Sequence, residues 1–235
     1  VRAFQRAPEE VAILYSLTSI AYNAQHLPEL RSAYEGTFFL DADVGFVTER
    51  TVLEGGLAGR KLLIVPAASH TPAAVAAAIR RWVETGETLW LVGDCLTHDE
   101  PNGTLAALTA LQSARLEGEA IERANLGRGL VVRSADRRDT AVYCRLGEAM
   151  FAKAGVARPL RVTNTEGKAV GGVEFRMAPY QGSVLVYALN MNKTAMTVTL
   201  AGAEGGLTDL RTGARRAWPL TLEPLEVAFG VLDKP

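Results

Sequence analysis

Apolar residues in the first part of the chain alternate between two periods. Val11-Ala12-Ile13-Leu14-Tyr15, Lys61-Leu62-Leu63-Ile64-Val65 and Thr88-Leu89-Trp90-Leu91-Val92 are short continuous apolar runs. Such runs suit strands covered on both faces. Val44-Gly45-Phe46-Val47 and Gly129 to Arg133 read as two weaker strands. Helical spacing lies between them. A helix is predicted around Leu27 to Phe39. A second follows Thr71-Pro72, an N-cap with proline at the first helical position. Its inner face is Val75, Ile79, Trp82 and Val83, and Gly86 stops it. Asp139 caps a third helix with inner face Val142, Leu146, Ala149 and Met150, ending at Gly155. Residues 94–128 combine loop signals at Asp99-Glu100-Pro101-Asn102-Gly103 with an Ala/Leu-rich stretch read as helical. Strands alternating with helices predict a parallel sheet with helices on both faces.

The period becomes two after Pro159. Val173, Phe175 and Met177 alternate with Glu174 and Arg176. Val184, Val186 and Ala188 follow, then Met196, Val198 and Leu200. Leu225, Val227, Phe229 and Val231 complete the pattern. Turn signals at Gln181-Gly182, Asn190 to Lys193, Gly205-Gly206 and Thr212-Gly213 separate these runs. Short strands without helices predict a small antiparallel β-sandwich. The change of period divides the chain into residues 1–158 and 159–235.

Composition narrows the function classes. The 235 residues suffice for two ordinary domains. With 25 basic and 26 acidic residues, the chain lacks the basic field a nucleic-acid partner requires. No apolar run is long enough for a transmembrane helix, and residues 1–10 lack the apolar core of a signal peptide. A cytoplasmic location is favoured. Two cysteines make no disulfide framework, and buried thiols are the ordinary expectation for both Cys95 and Cys144.

The sharpest local signal is Val92-Gly93-Asp94-Cys95-Leu96-Thr97-His98, placed where a strand ends. It resembles the nucleophile elbow of class I glutamine amidotransferases, in which a tight turn exposes a thiol. Thr97 stands where the second glycine should be. A thiolate nucleophile needs a base. The family's downstream histidine has no counterpart, because no histidine follows His98. Pro66-Ala67-Ala68 replaces the Pro-Gly-Gly oxyanion turn. Cys95 and His98 therefore read as vestigial. His26, His70 and His98 show no metal-ligand spacing, and the cysteines lie 49 positions apart, so no metal is expected. Ser16-Leu17-Thr18-Ser19 is similar to a flavodoxin phosphate loop but lacks its glycine. No G-x-G-x-x-G follows the first strand. No cofactor is expected. Too few strand–helix units are present for a glycosidase barrel, which needs about 200–250 residues.

Taken together, the two halves resemble the C-terminal region of glycoside hydrolase family 42 β-galactosidases. In the first half the resemblance rests on VAILYS, LEGGLAGRKLLIVPAA and IRRWVETGETLWLVGDCLTHDEPNG. Arg60-Lys61 stands for a Tyr-Lys pair, and Glu87 beside Gly86 replaces one of two glycines. In the second half it rests on GGVEFRMAPYQGSVLVYALNMNKTAMTVTL, then LTDLRTGARRAWPLTLEPLEVAFGVLD. The resemblance implies a flavodoxin-like, glutamine amidotransferase-like trimerisation domain followed by a small terminal β domain. The family's catalytic glutamates belong to an N-terminal barrel, so no catalytic residue carries over. The implied role is accessory: homo-oligomerisation as a trimer and shaping of a neighbour's sugar pocket. Two rivals stand beside it. The β domain could bind carbohydrate through Tyr180 and Trp218, since Phe175 and Phe229 alternate like core positions. Alternatively, Cys95 could serve a stand-alone hydrolase.

Overall fold

A computed structural model describes residues 4, 9–136, 138–203 and 205–232. They form two compact units. One comprises Glu9–Thr37 and Val44–Val156; the other contains Phe38–Asp43 and the residues from Ala157 onward. The division is thus not a single cut at 158/159: a six-residue segment from within the first predicted domain belongs with the C-terminal strands.

The first unit is an α/β layer structure. In chain order its elements are β1 (Val11–Tyr15), α1 (Leu17–Tyr22), α2 (His26–Thr37), β2 (Val44–Thr48), α3 (Glu49–Leu53), β3 (Leu62–Pro66), α4 (Ala73–Glu84), β4 (Thr88–Val92), β5 (Gln112–Leu116), β6 (Glu119–Leu126), β7 (Gly129–Ser134) and α5 (Thr140–Lys153). The seven strands pair in the order β2-β1-β3-β4-β7-β6-β5. The first five are mutually parallel. The last two extend the sheet as an antiparallel hairpin. Every residue of β3 and β4 is buried, which explains their unbroken apolar runs. Ala12, Leu14, Leu63, Val65, Leu89, Leu91 and Val131 form one core with Val75, Ile79 and Val83 of α4. The opposite parity includes Ile13, Ile64 and Trp90, all buried, and the Trp90 ring meets Tyr143 of α5 at 5.4 Å. Helices therefore cover both faces.

Three sequence expectations change here. The Ala/Leu-rich stretch forms no helix. Residues 105–111 are irregular and run into the β5–β6 hairpin. Its two-residue turn, Glu117-Gly118, has φ of 48° and 81°, the geometry that matches strand twist. Thr71 does not cap α4: Pro72 occupies the N-cap without a side-chain bond. The Thr71 N–H instead donates to His98 O, drawing the residue toward the segment after β4. Finally, α1 and α3 were not expected, being 6 and 5 residues long. Ser16 caps the first by accepting from Ser19 N, and Thr48 with Thr51 forms a capping box on the second. Asp139 does cap α5, accepting from Ala141 N and Val142 N.

The second unit is all β: β8 (Arg161–Thr163), β9 (Val173–Tyr180), β10 (Ser183–Asn190), β11 (Met196–Ala201), β12 (Leu207–Asp209), β13 (Arg215–Arg216), β14 (Leu220–Leu222) and β15 (Val227–Leu232). They form a five-stranded sheet, β13-β12-β15-β10-β9, and a three-stranded sheet, β14-β11-β8. All pairings are antiparallel. Val173, Phe175, Val186, Ala188, Val198 and Leu200 fill the core as the alternation predicts. β15 is the exception. Ala228 and Leu232 enter the core, whereas Val227, Phe229 and Val231 are half-buried on the other parity. Both parities of this strand are apolar, and Phe4 supplies a ring beside Phe229 and Tyr187. The segment Phe38–Asp43 is held to these strands by charge. Arg176 Nη1 lies 2.8 Å from Asp43 Oδ1, its guanidinium sits 4.7 Å from the Phe38 ring centre, and Asp41 accepts from Val162 N.

Candidate functional site

In an open parallel sheet, ligands bind outside the carboxyl ends of the strands where the winding reverses. Here that point lies between β1 and β3. The segments following β1, β3 and β4 converge there: Ser16 to Tyr22, Ala67 to Thr71, and Gly93 to His98. Hydrogen bonds lace them together. Ser19 Oγ donates to His70 O, and Leu96 N and Thr97 N donate to Ala68 O and Ser69 O. Ser16 Oγ donates to Glu49 Oε1 at 2.6 Å, and Thr18 N reaches the same oxygen at 3.2 Å. Beneath them His26 is fully buried. Its Nδ1 donates to Pro66 O at 2.6 Å, and its Nε2 accepts from Ser16 N at 3.1 Å. Desolvation lowers the His26 pKa, against the opposing effects of the Pro66 carbonyl and Glu49.

Cys95 is not displayed by an elbow. It is 2 % exposed, with Sγ 3.0 Å from Val65 O and 3.1 Å from Val92 O. Burial pushes its thiol up to about 12, the opposite of what a nucleophile requires. The positive φ of 57° in this turn falls on Leu96, not on the cysteine. His98 bonds through Nδ1 to Thr97 Oγ1 and turns its ring onto His70. The two imidazoles stack at 5.0 Å and 18°. The Tyr22 ring also stacks on His70, at 4.6 Å and 14°. The His70 ring is fixed at both nitrogens, with Ser69 Oγ 3.0 Å from Nδ1 and Asn102 Oδ1 3.0 Å from Nε2.

Of these residues only His98 stands in the motif that the sequence singles out; His70, Tyr22 and Asn102 carry no functional signal of their own there. The available signal was topological: residues that follow the strands flanking the reversal meet in space. Of the two residues expected from the sequence to contact sugar, Tyr180 is exposed before the Gln181-Gly182 turn. Trp218 packs against the β core with its indole nitrogen buried and unpartnered. Among the described residues, no group of three or more His, Cys, Asp or Glu is arranged for a metal ion. No helix there is long and apolar enough to cross a membrane.

No family model and no curated protein matches the sequence. Solved structures do. A catalytic mutant of Gan42B, a GH42 β-galactosidase from G. stearothermophilus, superposes with a TM-score of 0.76 at 17 % identity, over 97 % of this chain and 40 % of that one. The chain has the fold of part of a GH42 β-galactosidase. The β-galactosidase from Bacillus circulans sp. alkalophilus gives a TM-score of 0.72 at 16 % identity, over 96 % of this chain and 42 % of its own. The apo GH42 exo-carrageenase of Bacteroides ovatus gives 0.75 at 18 %, over 98 % and 30 %. The chain thus spans well under half the length of each GH42 relative.

Proposed function

We propose that this chain is a non-catalytic accessory and oligomerisation region of a β-galactosidase-like glycoside hydrolase. One observation carries the reading: nearly the whole chain matches the GH42 structures, while accounting for only 30 to 42 % of their length. The parallel strand order β2-β1-β3-β4-β7 is that of flavodoxin-like sheets, which supports a flavodoxin-like and amidotransferase-like ancestry for the α/β unit. The buried Cys95 supports a scaffold without nucleophilic chemistry. The reading includes self-association into a closed homotrimer, in which heterologous contacts complete a ring.

Light scattering across a concentration series tests the assembly. A mass near three chains is expected, and a strict monomer at the highest concentration overturns it. Hydrolysis of an aryl β-galactoside and of aryl esters by the same preparation tests the absence of catalysis. No turnover is expected. Ester turnover abolished by Cys95→Ala would revive the cysteine hydrolase.

A further inference from the structure

Asn102 is the chain's one asparagine followed by glycine. The pair lies in the turn after His98, where Asp99 N donates to Gly103 O at 2.8 Å and Asn102 N to Asp99 O at 3.0 Å. Both residues are exposed, and Asn102 is held at φ 66°. Two side chains from outside the pair meet its reactive atoms. Gly103 N–H donates to Asp99 Oδ1. Asn102 Oδ1 lies 3.0 Å from His70 Nε2. An amide oxygen only accepts, so His70 carries its proton on Nε2 and donates it there. The imidazole is steadied by Ser69 Oγ, 3.0 Å from Nδ1, and by its stacking with Tyr22 and His98. Glycine suits position 103, because a Cβ there would stand 3.0 Å from both Asp99 carboxylate oxygens.

These contacts are the parts that one amide needs to attack another. A peptide nitrogen is a poor nucleophile until a base takes its proton. A carbonyl resists attack until a donor holds the charge that develops on its oxygen. Asp99 is placed as the base and His70 as the donor. Covalent connection keeps Asn102 Cγ within one five-membered ring closure of Gly103 N. We propose that Asn102-Gly103 is a self-modifying site, at which the chain deamidates itself with Asp99 and His70 as its catalytic groups. Asp99 takes the Gly103 amide proton, and the nitrogen forms a bond to Asn102 Cγ. Negative charge rests on Oδ1 against His70 Nε2–H. As that charge returns to carbon, the Cγ–Nδ2 bond breaks, and Nδ2 leaves as ammonia with the proton from Asp99. Water then opens the succinimide at either carbonyl. One opening gives aspartate at 102; the other gives isoaspartate and a main chain longer by one methylene. Either product adds a negative charge beside His70 to a chain whose net charge is −1. The reaction needs no partner chain and does not depend on the accessory role proposed above.

The full chain is incubated near neutral pH in heavy-oxygen water and mapped by peptide mass spectrometry. One labelled oxygen should enter at residue 102, with isoaspartate among the products, while Asn23, Asn125, Asn164, Asn190 and Asn192 stay intact. Asn102→Asp supplies the ion-exchange standard for the product. The folded chain should react about tenfold faster than the same chain in urea, since only the fold brings His70 to Asn102 and holds Asp99 on Gly103. Asp99→Asn keeps an acceptor for Gly103 N–H but removes the base, and should slow the reaction about tenfold. His70→Phe keeps a ring for the stack but removes the donor, and should slow it about threefold. Circular dichroism checks that both variants are folded. A folded chain no faster than the unfolded one overturns the proposal and assigns any modification to the Asn-Gly sequence alone. A rate unchanged or raised in Asp99→Asn overturns it too, since the Asp99 bond would then pin the Gly103 amide instead of activating it. So does a rate unchanged in His70→Phe.

Discussion

The two units solve the burial problem in different ways. In the α/β unit, β3 and β4 are buried on both faces under helices. In the β unit, strands bury one parity and leave the other partly wet, as in the burial pattern of β11. The first is held by apolar volume. The second adds to a smaller apolar core polar fastenings to a distant segment, Phe38–Asp43, through Arg176, Asp43 and Asp41. A solid core loses stability when volume is removed. A fastened one loses it when a single polar partner is removed.

The largest effect is expected from Trp90→Ala. Trp90 is 1 % exposed and its Nε1 donates to Ser134 Oγ at 2.9 Å. Truncation should cost about 3–5 kcal/mol, read as a lower denaturant midpoint with loss of hydrogen-exchange protection concentrated in the α/β unit. Equal loss in β9 and β10 would show that the units are not separable. Next is Arg176→Ala. The Arg176 and Asp43 side chains are 18 % and 24 % exposed, and the Phe38 stacking is lost with the charge pair. A cost of about 1–3 kcal/mol is expected, with protection falling in Phe38–Asp43 and β9. The exposed Arg31–Glu35 pair is the control, and Arg31→Ala should leave stability unchanged.

The smallest effect is a pH dependence confined to the α/β unit. The buried His26 holds its pKa below the ordinary 6.5. Between the two values the unfolded chain binds a proton that the folded chain does not. This contribution to stability is therefore complete above about pH 6.5 and is lost as pH falls through the lowered value. Protonation would also turn the Nε2 acceptor into a donor facing Ser16 N–H. Melting from pH 8 down to 5 should show a decline that His26→Gln flattens. An identical slope in the variant would remove His26 from the account.

The α/β core was legible because continuous apolar runs have one structural meaning when helical patterns flank them. Thr88–Val92 and Asp139 at the start of α5 could be placed to the residue. The β15 parity was not, since Val227-Ala228-Phe229-Gly230-Val231-Leu232 is apolar on both faces. The hairpin in residues 112–126 was lost because alanine and leucine just before it suggested a helix, while Glu117-Gly118 carried the decisive turn. The candidate site was the least legible part. Tyr22, His70 and the His98–Asn102 stretch are far apart in sequence, and only the strand order brings them together.

The detour of residues 38–43 gives the protein an unusual resistance to being taken apart. From Glu9 onward the chain crosses between the units at 37/38, 43/44 and 156/157. A protease that cuts once near residue 157 would not free the β unit, since one piece of it would stay on the other fragment. For the same reason, a gene joined to another at that boundary would deliver strands without the segment that Arg176 grips. Recombination can move these two units as a pair more readily than apart.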